Sequence, residues 1–249
     1  MRHASLLLRA SISVFLAQAA SAQPMPKGIT AQFADPHVVD AFAQCVVAKH
    51  PSDAATYVLG NVTDRRTAPR FSVPRSLKDK TCIPSQASRE DARLLPELSE
   101  DAVKAALADA LVRREFPSFD GRVIKMAKPL PSGTLVDTLF PPDACNKCDA
   151  RRKAEFEDAR LKLNNVMAPI IFGECAVRTD PANAHALIIS EPSSAEETAY
   201  ISALAAAFDN CLTKGAQFTA SRSVLRGLIA ISYYRIAHAP RVDLAGAPK

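Results

Sequence analysis

Phe42-Ala43-Gln44-Cys45-Val46-Val47 returns 130 residues later as Phe172-Gly173-Glu174-Cys175-Ala176-Val177, and each copy meets a proline at the same distance, Pro51 and Pro181. Asp53-Ala54 is matched by Asn183-Ala184, and Val58-Leu59 by Ile188-Ile189. The next cysteine, Cys82 or Cys211, then falls 37 residues on in the first copy and 36 in the second. Chance could produce the hexapeptide match, but the cysteine interval repeated with it reads as duplication. Val103, Leu107 and Arg114 line up with Val224, Leu228 and Arg235 in a later stretch that is helical by pattern in both copies. Two copies are too few for a solenoid array, so the pattern points to two tandem modules, a fused pseudo-dimer.

The repeat also selects a cysteine pairing. Six cysteines allow 15 connectivities, and an even count in an exported chain reads as three disulfides. Equivalent cysteines in the two copies predict Cys45 with Cys82 and Cys175 with Cys211, which leaves Cys145 with Cys148. Each long bridge closes a loop worth about 4 kcal/mol in the chain-entropy model.

Export is read from the first 22 residues. Arg2 and Arg9 precede an apolar run from Ala10 to Ala20, and Ala20-Ser21-Ala22 offers small residues for cleavage. The run is too short for the roughly 20 residues that span a bilayer, and no later stretch approaches that length. Residues 1–22 are therefore read as a signal peptide, with a mature, soluble chain beginning near Gln23. Loss of Arg2 and Arg9 lowers the formal net charge from +5 to +3, too weak an excess to specify a partner. Only 8 glycines and no tryptophan, against 48% hydrophobic residues, disfavour a turn-rich all-β fold. The expected class is all-α.

Helix signals follow the repeat. Asp35 with Pro36 opens a helix through Val38, Phe42, Cys45 and Val46 that stops before Pro51. A second runs from about Ser52 to Gly60, where glycine suits a left-handed exit, and its counterpart from about Ala182 to Ser190. Ser193 and Ser194, each followed three residues later by a glutamate, signal a third helix in the second copy with Tyr200, Leu204, Phe208 and Cys211 on its apolar face. In the first copy Val62 to Thr81 reads as loop with at most one helical turn. The last helices begin near Ser99 and Ser221. The second of these carries so wide an apolar arc, Val224, Leu225, Leu228, Ile229, Ile231 and Tyr233, that it should be central. Between the modules, Val123 to Val136 suggests a short hairpin turned by Pro131-Ser132-Gly133, and Asp149 to Asn165 a charged connecting helix. The resulting organisation is a first helical module over 23–116, a linker over 117–168, a second module over 169–238 and a disordered tail over 239–249.

No two glycines lie closer than 12 residues, which excludes P-loop and dinucleotide fingerprints, and the common hydrolase motifs are missing from the sequence. Cys145-Asn146-Lys147-Cys148 is the motif that could carry chemistry, as a low-pKa thiolate beside Lys147. A local structural staple is the alternative, because Phe140-Pro141-Pro142 and a charged helix flank it rather than a thioredoxin-like βαβ unit. A metal half-site would need a second pair, and the other four cysteines are committed. His37, His50, His185 and His238 are scattered and read as exposed or capping residues. Arg65, Arg66, Arg70, Arg75, Lys78 and Lys80, against Asp79 alone, form a candidate contact for an anionic envelope polymer, or a solvated loop. No cofactor, metal or nucleic-acid partner is called for.

The repeated F-x-[QE]-C-x-V-x-x-x-P stretches and the helix from Val224-Leu225-Arg226-Gly227 to Tyr234-Arg235 resemble uncharacterised exported proteins of alpha-proteobacteria. The resemblance covers chiefly 170–237 and more weakly 38–116. It implies an exported, periplasmic location and no assigned activity. The first copy departs from it with Lys104-Ala105-Ala106 in place of Leu-Arg-Gly. Sequence alone therefore leaves three readings: a non-enzymatic binding or scaffolding protein of the cell envelope, a thiol-disulfide exchange protein using Cys145 and Cys148, and a membrane-surface protein using the amphipathic Ser221–His238 helix.

Overall fold

Helix α1 (Pro36–Lys49) begins where the Asp35 carboxylate accepts the His37 N–H, and Pro36 occupies the first turn, where no donor is needed. Pro51 then starts α2 (Pro51–Leu59), so the two helices share only His50 as a joint. The computed structural model describes residues 34–60, 73–130, 132–141, 143–212 and 220–241. The segment expected to be a signal peptide, Arg65, Arg66, Arg70 and the tail from 242 lie outside them.

Beyond α2, two 3-10 turns (Arg75–Lys78 and Lys80–Cys82) carry Leu77 into the core and bring Cys82 to Cys45. There follow α3 (Arg89–Leu94), capped by Ser88, and α4 (Glu100–Glu115), capped by Ser99, with acidic residues in its first turn and Arg113 and Arg114 in its last. Next come α5 (Gly121–Lys125), α6 (Ser132–Leu139), α7 (Ala150–Thr179), α8 (Pro181–Ile189), α9 (Ala195–Ala203), α10 (Ala205–Cys211) and α11 (Arg222–Ala237). The fold is all-α. Among the described residues the sole β pairing is an isolated bridge, Ala127 to Arg241, and no helix is long and apolar enough to cross a membrane. Three disulfides join Cys45 to Cys82, Cys145 to Cys148 and Cys175 to Cys211, the bonding of an oxidising compartment.

Several expectations are corrected. The 123–136 hairpin is replaced by α5 and α6, because Asp120 caps a helix by accepting the Arg122 N–H, and Ala127, beyond that helix, bridges to Arg241 and not to a partner strand within 123–136. The boundary at 168/169 falls inside α7, which runs unbroken for 30 residues with Pro169 inside it. One backbone hydrogen bond is lost there, and burial of Met167 and Phe172 on either side holds the helix together. Gly60 leaves α2 in an extended conformation, φ −51° and ψ 130°, so its exit is not left-handed. The third helix of the second half divides at the buried Leu204 into α9 and α10. Residues 239–241, assigned to the tail, are tied down where the Lys128 N–H donates to the Pro240 carbonyl at 2.8 Å.

Corresponding elements recur: α2 and α8 each span nine residues, 130 positions apart, and both start at proline. For the last helices the register shifts by one from the sequence alignment. Ser99 and Ser221 are the caps and α4 and α11 have equal lengths, which sets the offset at 122. Val224, matched with buried Val103 in the sequence, is 49% exposed, and Leu225, which the caps align with Val103, is half-buried. The two halves do not close separate cores. One hydrophobic cluster contains Phe42, Val46 and Leu107 together with Leu187, Ile229 and Tyr233, and α4 and α11 pack face to face through its middle.

That central crossing has no room for another carbon. A Cβ at Gly227 would overlap the Ala105 Cβ across the interface, so Gly227→Ala should push α4 and α11 apart and cost about 1–3 kcal/mol. Adding Ala105→Gly should recover most of the loss in urea titrations. A neutral Gly227→Ala would contradict the close packing.

Candidate functional site

Arg226 enters the middle of the molecule from α11, 6% exposed, among carboxylates from two other helices. Its Nε donates to Asp109 of α4 at 2.6 Å, and Nη1 donates to Glu197 of α9 at 3.1 Å and to Ser190 Oγ. Nη2 donates to the Ile188 and Ser190 carbonyls, both at 2.7 Å, at the C-terminal end of α8. Every N–H of the guanidinium finds an acceptor, which is the geometry a buried arginine requires. Arg113 adds Nε to Asp109 at 2.8 Å and Nη2 to the Ser190 carbonyl at 2.6 Å. Glu197 also accepts the Ser193 N–H while its own N–H donates to the N-cap Ser194 Oγ, so the start of α9 and the ion network share one carboxylate. At the matching position Lys104 donates to the Gly60 carbonyl at 3.4 Å. The two cations thus bind the exits of corresponding helices, α8 and α2. Saturated in this way, Arg226 is a structural tie, with no donor left for a ligand.

Asp40 of α1 lies at the edge of this network and accepts from Gln44 at 2.8 Å. Burial pushes its carboxyl above the ordinary range, against the attraction of Arg113, while Asp109 repels it and Arg226 draws it back.

The Cys145–Cys148 disulfide closes the turn between α6 and α7. Phe140 meets Phe156 edge to face at 5.4 Å, and Arg160 pairs with Asp137 at 3.2 Å, so the two helices form a stapled hairpin. Most side chains from 150 to 164 are exposed, and Leu139 and Leu161 lie open at 41% and 58%. Cys145 is buried, whereas Cys148 is half-buried beside Asp149, the N-cap of α7.

The histidines divide differently from the sequence reading. His37 and His50 lie 3.5 Å from Glu191 and Asp79, and His238 shares Glu115 with the Tyr234 hydroxyl. His185, expected to be exposed or capping, is buried because Phe119 and Tyr233 cover its ring, and it meets the Phe116 carbonyl at 2.8 Å. Burial pushes the Tyr233 hydroxyl up to about 12, with Asp120 adding to the shift. Of the basic run, Arg75, Lys78 and Lys80 are exposed. Asp79 turns from them toward Thr81 and Lys49, and the Thr81 hydroxyl and N–H hold its carboxyl well below the usual range. The apolar face of α11 is buried against α4, α7 and α8, which removes the surface that a membrane-lying helix would need.

Sequence reasoning quoted Arg226 for its resemblance but not for its role. The usable signal was an arginine, Arg226, placed among the apolar residues of α11, with Asp109 likewise inside an apolar run. Among the described residues no three histidine, cysteine or acidic side chains gather as metal ligands. Compared with family models, curated proteins and solved structures, the chain matches none.

Two outcomes are expected. Arg226→Met should lose about 3–5 kcal/mol, because Asp109 and Glu197 keep their buried charges, and Arg226→Met/Asp109→Leu should recover part of it in urea unfolding. A loss under 1 kcal/mol would contradict the network's role. For Asp40 the folded pKa is raised, so the cost of its charge appears as pH rises above the unfolded value of about 3.9 and is complete above the folded value. Asp40→Asn should therefore raise the melting temperature at neutral pH, with the gain disappearing in acid. Equal melting temperatures at both pH values would oppose this.

Proposed function

We propose that this chain is a non-enzymatic binding or scaffolding protein of the bacterial cell envelope, exported to the periplasm and built by duplication of a cysteine-stapled helical module. The observation that carries the reading is the α6–α7 hairpin. It is closed by a disulfide, lies largely in solvent and presents Leu139 and Leu161 beside alternating charges. A stapled helix pair loses little entropy on docking, which suits it to holding another envelope protein. Exposed Arg75, Lys78 and Lys80 add a basic surface for an anionic polymer.

A second reading, thiol-disulfide exchange through Cys145 and Cys148, is favoured by the half-exposed Cys148 at the start of a 30-residue helix, whose N-terminal end stabilises a thiolate. In that chemistry a substrate thiolate attacks the Cys148 sulfur and displaces the Cys145 thiolate. A second substrate thiolate then releases the mixed disulfide, which leaves the pair reduced and the substrate oxidised.

One experiment separates the two. A photo-crosslinking residue at Leu161 of the exported protein should give a discrete adduct in the envelope, lost on Leu139→Arg. Cys145→Ser, which leaves Cys148 free to trap a substrate, should yield no mixed disulfide. Mixed disulfides on Cys148 without a Leu161 adduct would replace the binding reading with the redox one.

A further inference from the structure

Helix α6 spans 8 residues, fewer than the roughly 12–15 that a helix needs to persist in water by itself. Its order therefore depends on what it packs against. That surface is α7, and among the described residues α6 makes no comparable contact with another helix. Val136 of α6, Cys145 of the turn and Met167 of α7 are buried, yet none belongs to the hydrophobic cluster that joins the two halves of the chain. The hairpin thus stands outside the core that stabilises the rest of the molecule.

The contacts across the hairpin are few, and one opposes closure. Phe140 meets Phe156 edge to face at 5.4 Å. Asp137 accepts from Arg160 Nη2 at 3.2 Å, in an ion pair whose carboxylate side chain is 66% exposed and which adds little in water. On the same guanidinium, Arg160 Nε is shut off from solvent and finds no acceptor. A buried donor without a partner works against the closed state, because water satisfies it once the helices separate. The Cys145–Cys148 bond ties the turn between them. In the chain-entropy model even so short a closure favours the closed hairpin by about 20-fold, which is of the order that one aromatic pair and one exposed ion pair supply together. The bond is also within reach. Asp143, Ala144, Asn146, Lys147 and Asp149 around it are exposed, and Cys148 is half-buried.

We infer that the Cys145–Cys148 bond is a redox latch on the docking surface of the hairpin. The inference rests on the binding reading, in which Leu139 of α6 and Leu161 of α7 present one surface. The reductant is a dithiol. One of its thiolates attacks the Cys148 sulfur and the Cys145 thiolate leaves; its second thiolate then displaces the Cys148 thiolate. The dithiol becomes a disulfide, and the two protons that it gives up are taken by Cys145 and Cys148. Unlatched, α6 separates from α7, Arg160 Nε gains water, and Leu139 and Leu161 no longer form one surface. The oxidised protein holds its partner and the reduced protein releases it.

The test is hydrogen exchange on the mature chain, comparing the oxidised parent with Cys145→Ala/Cys148→Ala and with parent treated with dithiothreitol until alkylation marks Cys145 and Cys148. Exchange over 132–140 should be about 20-fold faster in the variant and in the reduced parent, with α4 and α11 unchanged, which also shows that the variant folds. The photo-crosslinked adduct at Leu161 should disappear in the variant. Equal exchange over 132–140 overturns the latch, as does a loss of protection that spreads to α4 and α11, or an adduct that the variant keeps. A parent that gives no adduct overturns the binding reading instead, while the exchange measurement, which needs no partner, still decides whether the bond holds α6 in place.

Discussion

An arginine on the inward face of a helix must either stay out of the core or bring its acceptors in with it. Arg226 does the second, and the arrangement of the central helices follows from satisfying it. The Asp109 carboxylate fixes how α4 faces α11, the Ile188 and Ser190 carbonyls fix where α8 ends, and Glu197 fixes the entry of α9. Beside it, Gly227 lets the helices approach until the Ala105 Cβ fills the remaining space. Charge satisfaction and close approach therefore act at adjacent residues of one helix. The hydrophobic cluster around them supplies most of the stabilisation, and the network restricts which packing of those surfaces is allowed.

The disulfides work outside this centre. Cys45–Cys82 and Cys175–Cys211 each fasten a less regular segment to a core helix, in the first half the 3-10 turns and in the second α10. The Asp79 contacts to Lys49, His50 and Thr81 reinforce the first of these joints. Glu174 and Arg178 of α7 hold a further segment, accepting the Leu130 N–H and donating to the Ala127 and Lys128 carbonyls. The chain from 127 to 130 gains order from α7 rather than from its own sequence.

That division explains what was legible beforehand. Features written in local chemistry were readable: the Asp35, Ser99, Ser194 and Ser221 caps, the proline starts of α2 and α8, and the cysteine intervals. Features set by distant contacts were not. The 123–136 stretch has β-branched residues that favour a strand in isolation, but the Asp120 cap and contacts with α7 make it helical. The 168/169 boundary followed the start of the repeat, which marks where the two copies match and not where a helix begins, and burial of Met167 and Phe172 carries α7 through Pro169. The one-residue slip between Val224 and Leu225 arose because matching apolar letters ignored the caps, which fix the helical phase. The burial of His185 was not legible because it is created by Phe119 and Tyr233, distant in sequence.

The central claim is that both halves form one cooperative unit tied through Arg226 and Asp109, whatever their history. Hydrogen exchange measured peptide by peptide along a urea series tests it most directly. The central helices α4 and α11 should lose protection together, at the same urea concentration and with the same free energy as global unfolding. Loss of protection in α8 to α11 at one concentration while α1 to α4 stay protected to a higher one would contradict the account, and would restore two independent modules.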